Sequence, residues 1–477
     1  MATIWIREFT GGLDVRRLAE NSPGGSLIQA VNCHINRGGE LEQRADFVPL
    51  YTAPPNATVG LAADRNGLVT FGHVPGAPGN LPSFIRYQRL QSPSGEALAA
   101  VPHWTLFEGR VQSVGRFASG DAFLFNGSAR VTDANAPPNL ANSEAPAALL
   151  TYQEKLFVGA GPVLFFSAIA EPANFTGTGA GFIDMSTHAR GADEITALVR
   201  YQDFAAIFSR RTIQIWFLDP NPTLSRQAQV LANTGTLSAR SLVEFGDSDV
   251  FYIDQSGIRS MRARDSSNNA FTTDIGSPID PLISDAICLC GNGGMPPISA
   301  AVEPADGRVW FAIGDTIYVF SYFPGSKVSA WTTYKPGFVV DDMVEFEDRI
   351  YLRSGNTFYV YGSRVGPYAY SADTEVEAWL PYLDAEKPSR AKLLHGVDVS
   401  CRGEWEVRLG MEPERLDVSD LLGRVTGQTF THQRVPIQGQ STHLSLRFRS
   451  IAPASPTAPA ILSSAVIHHD NHEGEDS

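Results

Sequence analysis

The stretch that decides the fold is EITALVRYQDFAAIFSRRTIQIWFLDPN, residues 194–221, which resumes after a polar link as TGTLSARSLVEFGDSDVFYIDQSGIRSMRAR, residues 234–264. Both segments consist of short runs rich in β-branched and aromatic residues, bounded by Gly, Asp, Asn, Ser or charged pairs. Such runs are typical of strands joined by tight turns. We predict two consecutive three-stranded meanders, with strands at 195–201, 204–209, 213–218, 241–245, 250–254 and 258–262.

The same arrangement recurs along the chain. An apolar pair, an aromatic residue two positions later, a polar turn and a second apolar run occur in LLTYQEKLFV (149–158), LVRYQDFAAI (198–207), LVEFGDSDVF (242–251) and MVEFEDRIYL (343–352). Repeats of about 40–50 residues built from short strands are typical of a β-propeller or a related array. We count five units between residues 147 and 365, and we expect one more, divergent unit in residues 56–130.

These patterns divide the chain into four segments. Residues 1–55 form an N-terminal arm or lead-in, and residues 56–370 form a β-propeller-like domain with a short helix expected at 281–288. Residues 371–469 contain longer alternating strands, such as WEVRLG at 405–410, which favour a compact antiparallel β-sandwich. Residues 470–477 (DNHEGEDS) are expected to be a disordered acidic tail. The predicted fold class is therefore all-β, a β-propeller-like array of antiparallel meanders with an N-terminal arm and a C-terminal β-sandwich.

Composition supports an all-β chain with a large core. Hydrophobic residues make up 43% of the 477 residues and aromatics 10%, and 43 Gly and 31 Pro provide for many turns. No run approaches the length of apolar sequence that a membrane span requires. The first residues, MATIWIRE, lack the basic and apolar regions of a signal peptide. We therefore expect neither a membrane span nor secretion by the usual route.

The net charge of −14 makes the chain a poor candidate for gripping nucleic acid, because affinity for phosphates comes from Lys and Arg. It is compatible with a surface past which DNA slides without sticking. The strongest local basic features are candidate interface contacts to DNA or to an acidic partner: Arg210, Arg211, Arg259, Arg262 and Arg264. The alternative is that they lie on solvated strand faces or form interface ion pairs.

The four cysteines predict no metal or redox site. Cys288 and Cys290 have neither the spacing of a redox pair nor that of half a zinc site, and residues two apart on a strand are poorly placed for a disulfide. Together with Cys33 and Cys401 they are expected to be reduced thiols, as in a protein assembled in a cytoplasm.

No catalytic constellation stands out. A sialidase-type hydrolase would carry repeated Asp boxes, and the nearest match, ADGRVW at 305–310, is better explained as a hairpin turn before a core Trp. A glycosidase needs two carboxylates facing each other across the substrate. Candidates such as Asp341 and Asp342 cannot be separated from turn residues by sequence. We therefore predict no catalytic residues and no enzyme activity.

Two further kinds of motif contain residue types that occur in ligand sites. His468, His469 and His472 have a spacing that could chelate a metal, although a polar tail after the last strand explains them more simply. The glycine-rich segments 177–181 and 291–294 lack the Gly-Lys-Ser/Thr that follows a phosphate loop, which favours flexible linkers. We expect no cofactor and no metal.

Several segments resemble one protein family. They are TGGLDVR (10–16), AVN (30–32), GGELEQR (38–44), DEITALV (193–199), IFSRRTIQIW (207–216), GTLS (235–238), SLVEFG (241–246), VFYID (250–254) and GIRSM (257–261). Together they are similar to the tail nozzle or hub family of short-tailed bacteriophages, also called the DNA-stabilisation or tail tubular protein B-like family. The resemblance covers about residues 1–265, and its motifs consist mostly of turn and core residues.

The resemblance implies a structural virion protein located in the tail and assembled in the host cytoplasm. Its members look like propeller-containing subunits of a sixfold ring below the portal and adaptor. The implied partners are further copies of the chain, a hexamer in all, the adaptor or head-to-tail connector, tail fibres or spikes, a plug or needle protein, and double-stranded DNA that passes without sequence-specific binding. The alternative from another class is a β-propeller that binds a glycan as an adhesin or cleaves it as a glycoside hydrolase.

Overall fold

The computed structural model describes residues 2–138, 140, 146–187, 193–246, 249–263, 270–288, 295–431 and 434–471. Within these ranges the chain is all-β: a β-propeller with an N-terminal arm and a C-terminal β-sandwich, which confirms the predicted fold class. One helix, α1 (Asp280–Cys288), lies where the sequence predicts it. No helix in the described ranges is long and apolar enough to cross a membrane.

The N-terminal arm is built into both domains. It comprises seven short strands, namely β1 (Ala2–Ile6), β2 (Gly12–Leu13), β3 (Ser26–Leu27), β4 (Gln29–Val31), β5 (Cys33–Ile35), β6 (Leu41–Gln43) and β7 (Phe47–Thr52). β1, β4, β5 and β6 pair within the sheets of the sandwich, whereas β7 joins the propeller. The arm therefore connects the two domains through backbone pairing.

In the described chain, seven successive sheets form the propeller, and we number them blades I to VII. Blade I contains β8 (Gly60–Asp64), β9 (Gly67–Gly72) and β10 (Ile85–Arg89). Blade II contains β11 (Leu98–Ala100), β12 (Trp104–Phe107), β13 (Arg110–Phe117), β14 (Ala122–Asn126) and β15 (Ala129–Arg130). Blade III contains β16 (Pro146–Tyr152), β17 (Lys155–Ala160), β18 (Val163–Phe166) and β19 (Gly181–Asp184). The expectation of a single unit in residues 56–130 is wrong, because that region supplies both of the first two blades.

The remaining blades follow the same order. Blade IV contains β20 (Ile195–Tyr201), β21 (Phe204–Ser209), β22 (Thr212–Phe217) and β23 (Arg226–Ala232), and blade V contains β24 (Val243–Phe245), β25 (Asp249–Ile253), β26 (Ile258–Ala263) and β27 (Ala270–Asp274). Blade VI contains β28 (Ile298–Glu303), β29 (Arg308–Ile313), β30 (Thr316–Phe323) and β31 (Val328–Tyr334). Blade VII contains β32 (Asp342–Phe346), β33 (Arg349–Ser354) and β34 (Thr357–Tyr361).

Blades IV and V each have four strands, not the three that the sequence predicts. The additional strands, β23 and β27, are the outermost of their sheets. β23 has the sequence RQAQVLA, in which exposed and half-buried residues alternate and none is fully buried. An outer strand has only one neighbour and little core to face, so it lacks the apolar run by which inner strands are found.

The arm closes the ring of blades. β34 is followed in its sheet by β7, and the two strands are antiparallel, with Val48 opposite Val360. The last blade is thus completed by a strand from the start of the chain. Closure of this kind joins the two ends of the blade array and covers the edge that β34 would otherwise expose.

The apolar core lies between the blades. Neighbouring blades share clusters of buried side chains, as where Phe157 of blade III packs with Ile207 of blade IV. Trp310 of blade VI lies in a cluster with Met343 of blade VII, and Tyr351 of blade VII packs in turn with residues of blade I. Since each blade buries apolar surface against both neighbours, the repeats stabilise one another only when the ring is complete.

The sandwich consists of two sheets. Its strands are β35 (Glu377–Trp379), β36 (Lys392–Arg402), β37 (Glu404–Gly410), β38 (Asp420–Val425), β39 (Val435–Ser441), β40 (Ser445–Ala452) and β41 (Ile461–Asn471). One sheet has the order β39-β36-β41-β6-β5, with β1 also on β41, and the other has the order β4-β35-β40-β37-β38. Trp405, Val407 and Leu409 are buried in the core, as their spacing predicts. β4 also pairs with β31, so the sheet of blade VI continues into the sandwich.

A buried polar cluster joins the propeller to the arm. The Arg308 guanidinium forms an ion pair with Glu303 at 3.2 Å, and the Arg308 and Glu303 side chains are 3% and 0% exposed. The Tyr334 hydroxyl of blade VI is 2.8 Å from Nδ1 of His34 in the arm, and the Tyr368 hydroxyl donates to Glu303 at 3.0 Å. Buried charges in such surroundings require their partners, so this cluster fixes how the arm lies against blades VI and VII.

Candidate functional site

The two ends of the propeller differ in their chemistry. The innermost strand of each blade begins at one end, which we call the start face, and turns back through a hairpin at the other end, which we call the hairpin face. These inner strands are β8, β12, β16, β20, β24, β28 and β32. Side chains that project from their ends surround the central axis, where propellers usually hold their functional residues.

Arg240 crosses the central axis. It follows Ser238, whose hydroxyl accepts a hydrogen bond from the Arg240 N–H and so caps the short 3-10 turn Ala239–Ser241 before blade V. Its guanidinium donates to the carbonyl oxygens of Val101 and Pro102, the latter at 3.1 Å, in the loop of blade II. It also forms an ion pair with Asp342 of blade VII. Blades II, V and VII are not neighbours in the ring, so side-chain contacts that link them must cross the central axis.

A second arginine completes this network. Nε of Arg353 lies 2.6 Å from Oδ2 of Asp342, and its Nη1 lies 3.4 Å from Asp341. The Asp342 side chain is 4% exposed and therefore sits between two guanidinium groups almost without water. Asp341 also accepts the Gly355 N–H at 2.6 Å. Asp341 and Asp342 thus form structural ion pairs, and neither is placed as one of two carboxylates across an open cleft.

His103 lies beside the network. Its Nδ1 accepts the Leu149 N–H at 3.1 Å, which ties blade II to blade III. Burial, followed by the charge of Arg240, lowers the pKa of His103 to about 4. At neutral pH the ring is therefore uncharged and acts as a hydrogen-bond acceptor in the wall of the axis.

Cavities lie on both sides of this network. A cavity of about 700 Å³ opens at the start face, and Arg240 lies in its wall. A second cavity of about 530 Å³ lies toward the hairpin face, lined by Trp104, Met343 and Glu345 among others. Between them lies a smaller cavity of about 150 Å³, which is lined by Arg240, Asp342 and His103 among others. This smaller cavity shares Arg240 with the first cavity, and Trp104 and Met343 with the second.

The hairpin face is acidic. Among the described residues, carboxylates occupy the first hairpin turn of five blades, namely Glu108, Glu154, Asp203, Asp306, Glu347 and Asp348. Asp306 is paired with Arg308 and Arg37, whereas Glu108, Glu154, Asp203, Glu347 and Asp348 are exposed. Exposed carboxylates therefore lie at the hairpin turns of blades II, III, IV and VII, with exposed arginines such as Arg65 and Arg110 at the same end.

Two of these acidic turns adopt backbone conformations that are unfavourable for carboxylate residues. Gln153 and Glu154 have φ values of 45° and 58°, and Glu347 and Asp348 have 48° and 58°. Such two-residue hairpin turns favour Asn-Gly or Asp-Gly, because a Cβ atom strains the left-handed region. The strain costs about 1–2 kcal/mol per residue.

The sequence-predicted arginines do not form one site. Arg210 and Arg211 are exposed in the turn between β21 and β22 at the start face. Arg259 of blade V is paired with carboxylates within 3.6 Å on three residues, Asp254, Asp274 and Asp280. Arg262 lies over the Phe271 ring at 5.4 Å, and Arg264 lies outside the described residues. Arg259 therefore has a structural role, and among the described members of this set Arg210 alone lines the cavity at the start face.

The candidate metal and phosphate motifs are separated or partnered. His468 and His469 are adjacent in β41 and point to opposite faces, and Nε2 of His468 lies 2.8 Å from Asp398. His472 and residues 291–294 lie outside the described residues. Among described residues, no three His, Cys, Asp or Glu side chains are grouped as metal ligands. Cys33, Cys288 and Cys401 are free thiols, and Cys290 lies outside the described residues.

Sequence reasoning missed the axial residues Arg240, Arg353 and His103. More than a hundred residues separate each of them from the next along the chain. No local sequence motif therefore predicts that their side chains lie close together. The nearest signal is the Ser238 cap before Arg240, which indicates a turn but not the partners of its side chain.

Comparison with known proteins finds distant structural similarities. No family model and no curated protein matches this chain. Among solved structures, it is similar to the Pan2 WD40 domain of Neurospora crassa, with 10% identity, a TM-score of 0.40, and coverage of 66% of this chain and 91% of that one. It is also similar to BamB from Moraxella catarrhalis, with 10% identity, a TM-score of 0.36, and coverage of 68% and 98%.

A third similarity is to the extracellular domain of a one-component system from B. thetaiotaomicron, with 11% identity and a TM-score of 0.43. It covers 95% of this chain and 64% of that one. All three similarities are distant, and the strand order of this chain itself defines the propeller.

Proposed function

We propose that this chain is a structural subunit of a bacteriophage tail, a ring-forming nozzle or hub. In this role it continues the DNA channel below the portal and adaptor, retains and then conducts the genome, and anchors fibres or a plug. The ring is a hexamer of this chain, and the chain has no enzymatic role. The observation that carries the proposal is the acidic hairpin face, with exposed carboxylates in turns of successive blades.

The physical reason lies in what a DNA channel requires. A wall that conducts DNA must not bind it, and phosphate affinity comes from cationic side chains. Carboxylates on the wall repel the duplex and keep it away from the surface. The strain in the Gln153–Glu154 and Glu347–Asp348 turns is consistent with this, since carboxylates are kept there although Asn-Gly would strain the backbone less. We therefore place the hairpin face at the lumen of the ring.

The closed axis also favours a structural role. Arg240, Asp342 and Arg353 form ion pairs that join non-neighbouring blades across the axis. The arm pairs with both the propeller and the sandwich, which suits a subunit that bears mechanical load. A rigid body of this kind would pass force between its neighbours in a ring.

Mass photometry and electron microscopy of the purified chain, alone and with its adaptor, test the proposal. We expect closed sixfold rings that join the adaptor. A particle that stays monomeric and never binds the adaptor would refute it. A second measurement tests the role of the carboxylates on the hairpin face. Replacing Glu108, Glu154 and Asp203 with Lys should make the chain bind a short DNA duplex in a gel-shift assay, whereas the unmodified chain should leave the duplex free.

One observation favours the second candidate, a glycan-binding propeller. A polar cavity of about 330 Å³ lies between blades IV and V and is lined by Arg200, Asp203 and Glu244, among others. Within it, the hydroxyl of Tyr201 and the amide oxygen of Gln202 are buried and have no hydrogen-bond partner among the residues that the structure describes. Burial, followed by the charge of Asp249, raises the pKa of Tyr201 to about 12, so its hydroxyl keeps a proton to donate.

A glycan array decides between the two candidates. A glycan-binding chain would retain a defined sugar, and Tyr201→Phe would weaken that binding by about tenfold, since a buried polar partner would be lost. Absence of binding on the array and of turnover in a hydrolysis screen would remove this candidate.

A further inference from the structure

The start face carries an unassigned basic cavity. Its volume is about 700 Å³, which is in the size range of sites for small ligands and peptide side chains. Four arginines line it, namely Arg116, Arg210, Arg240 and Arg353, against two carboxylates, Glu194 and Asp341. A positive cavity is unexpected on a chain with a net charge of −14.

The arginines of the floor and of the rim have different partners. Arg240 and Arg353 are neutralised by Asp341 and Asp342 and form the floor. Arg116 at the end of β13 and Arg210 after β21 are exposed at the rim, and within the described chain neither forms an ion pair or a side-chain hydrogen bond. The rim therefore offers two guanidinium groups whose donors are available to a ligand.

The position of Arg210 is fixed before any ligand arrives. The Thr236 N–H donates to the Ser209 carbonyl at 2.9 Å, and the Thr234 N–H donates to the Arg211 carbonyl at 3.2 Å. Between them, Gly235 packs so closely that a Cβ atom there would lie 2.6 Å from the carbonyl carbon of Arg210. A site whose backbone is already ordered loses less entropy when it binds.

We propose that this cavity binds an acidic peptide segment of a protein partner, with its carboxylates on Arg116 and Arg210. Guanidinium groups bind carboxylates in bidentate geometry with strong, charge-assisted hydrogen bonds. The apolar wall formed by Met295, Pro296 and Pro297 would accommodate the aliphatic parts of such a segment. This inference concerns the isolated chain and does not rest on the proposed ring.

A short acidic peptide fits this cavity better than DNA does. The overall charge of −14 repels a long polyanion at a distance, whereas a segment with a few carboxylates is repelled much less. The cavity is also concave, so a single extended side chain can reach it while the phosphates of a rigid duplex lie on a convex surface. Glu194 at the rim opposes both ligands and should limit the affinity.

The experiment uses fluorescence anisotropy with the full chain and a labelled hexaglutamate peptide at low ionic strength, with hexaglutamine as the uncharged control. We expect saturable binding of hexaglutamate that weakens with salt. Arg116→Gln and Arg210→Gln should each weaken it about tenfold, as expected for the loss of a charge-assisted hydrogen bond. Glu194→Gln should strengthen it several-fold, because an opposing charge is removed.

Arg262→Gln is the matched control, since it removes an exposed arginine of blade V that does not line the cavity. Arg116 and Arg210 are exposed and have no ion-pair partner among the described residues, so their variants should have the same melting temperature as the unmodified chain, which thermal denaturation of the same samples measures. Absence of binding, or equal weakening by Arg262→Gln, would overturn the proposal. Displacement of the peptide by a short DNA duplex of higher affinity would also overturn it, in favour of a nucleic-acid site.

Discussion

The axial network makes a direct prediction about stability. In Arg240→Met, a side chain of similar length keeps the apolar contacts and loses every hydrogen bond of the guanidinium. The carbonyls of Val101, Pro102 and Asp341 lose a donor, and Asp342 loses one of its two cationic partners. Because these groups come from blades II and VII, the loss loosens contacts across the axis and not within one sheet.

The magnitude follows from these contacts. Each lost hydrogen bond to a charged group is worth about 1.5–3 kcal/mol, and breaking a buried ion pair costs about 3–5 kcal/mol. Two features reduce the total: Asp342 keeps Arg353 as a partner, and the Arg240 side chain is 22% exposed, so water can reach part of the site. We therefore expect the free energy of unfolding to fall by about 3 kcal/mol, a large fraction of the roughly 5–15 kcal/mol typical of a folded domain.

Urea denaturation followed by tryptophan fluorescence measures this change. Arg262→Met, which removes an arginine from the surface of blade V, is the control and should cost less than about 1 kcal/mol. The double variant Arg240→Met with Asp342→Asn should be less destabilised than the sum of the two single variants, because the pair interacts directly. A change below about 0.5 kcal/mol in Arg240→Met, or simple additivity in the double variant, would show that the network does not hold the axis together.

Three further predictions follow from single residues. The pKa of His103 is lowered from its ordinary value of 6.5 to about 4 in the folded chain. Between pH 6.5 and about pH 4, His103 is therefore protonated mainly in the unfolded chain. Stability should therefore fall as the pH drops from about 6.5 to 4, by up to about 3 kcal/mol, and His103→Gln should flatten this part of the stability-versus-pH curve measured by urea denaturation. Gly235→Ala should destabilise the chain by about 1–3 kcal/mol in the same assay, because the new Cβ would overlap the turn at Arg210, whereas Gly24→Ala meets open space and should be neutral. Trp310→Ala should cost about 3–5 kcal/mol because the ring is fully buried between two blades, and Trp5→Ala, at a ring that is 56% exposed, should change the thermal midpoint little. Equal losses of stability in Gly235→Ala and Gly24→Ala, or in Trp310→Ala and Trp5→Ala, would contradict the packing at these positions. A stability-versus-pH curve that His103→Gln leaves unchanged would contradict the lowered pKa of His103.

Some parts of the fold follow from local patterns. The meander at 195–218 is predicted almost to the residue, since β20, β21 and β22 are inner strands whose apolar residues face neighbours on both sides. The buried face of β37 follows for the same reason, because burial imposes a regular spacing on the sequence. The five units between residues 147 and 365 likewise correspond to blades III to VII.

What the sequence alone determined was therefore the repeating strand pattern, the all-β class and the excess of negative charge, because hydrophobic periodicity and composition are local properties. The tertiary structure decided the rest. The pairing of β7 with β34 joins segments about three hundred residues apart, and outer strands such as β23 leave no apolar run to detect. It also decided which charges matter, since Arg240 and Asp342 become partners only when the ring of blades closes around them. Charges act over a few ångströms in space, and no spacing along the chain records which ones will meet.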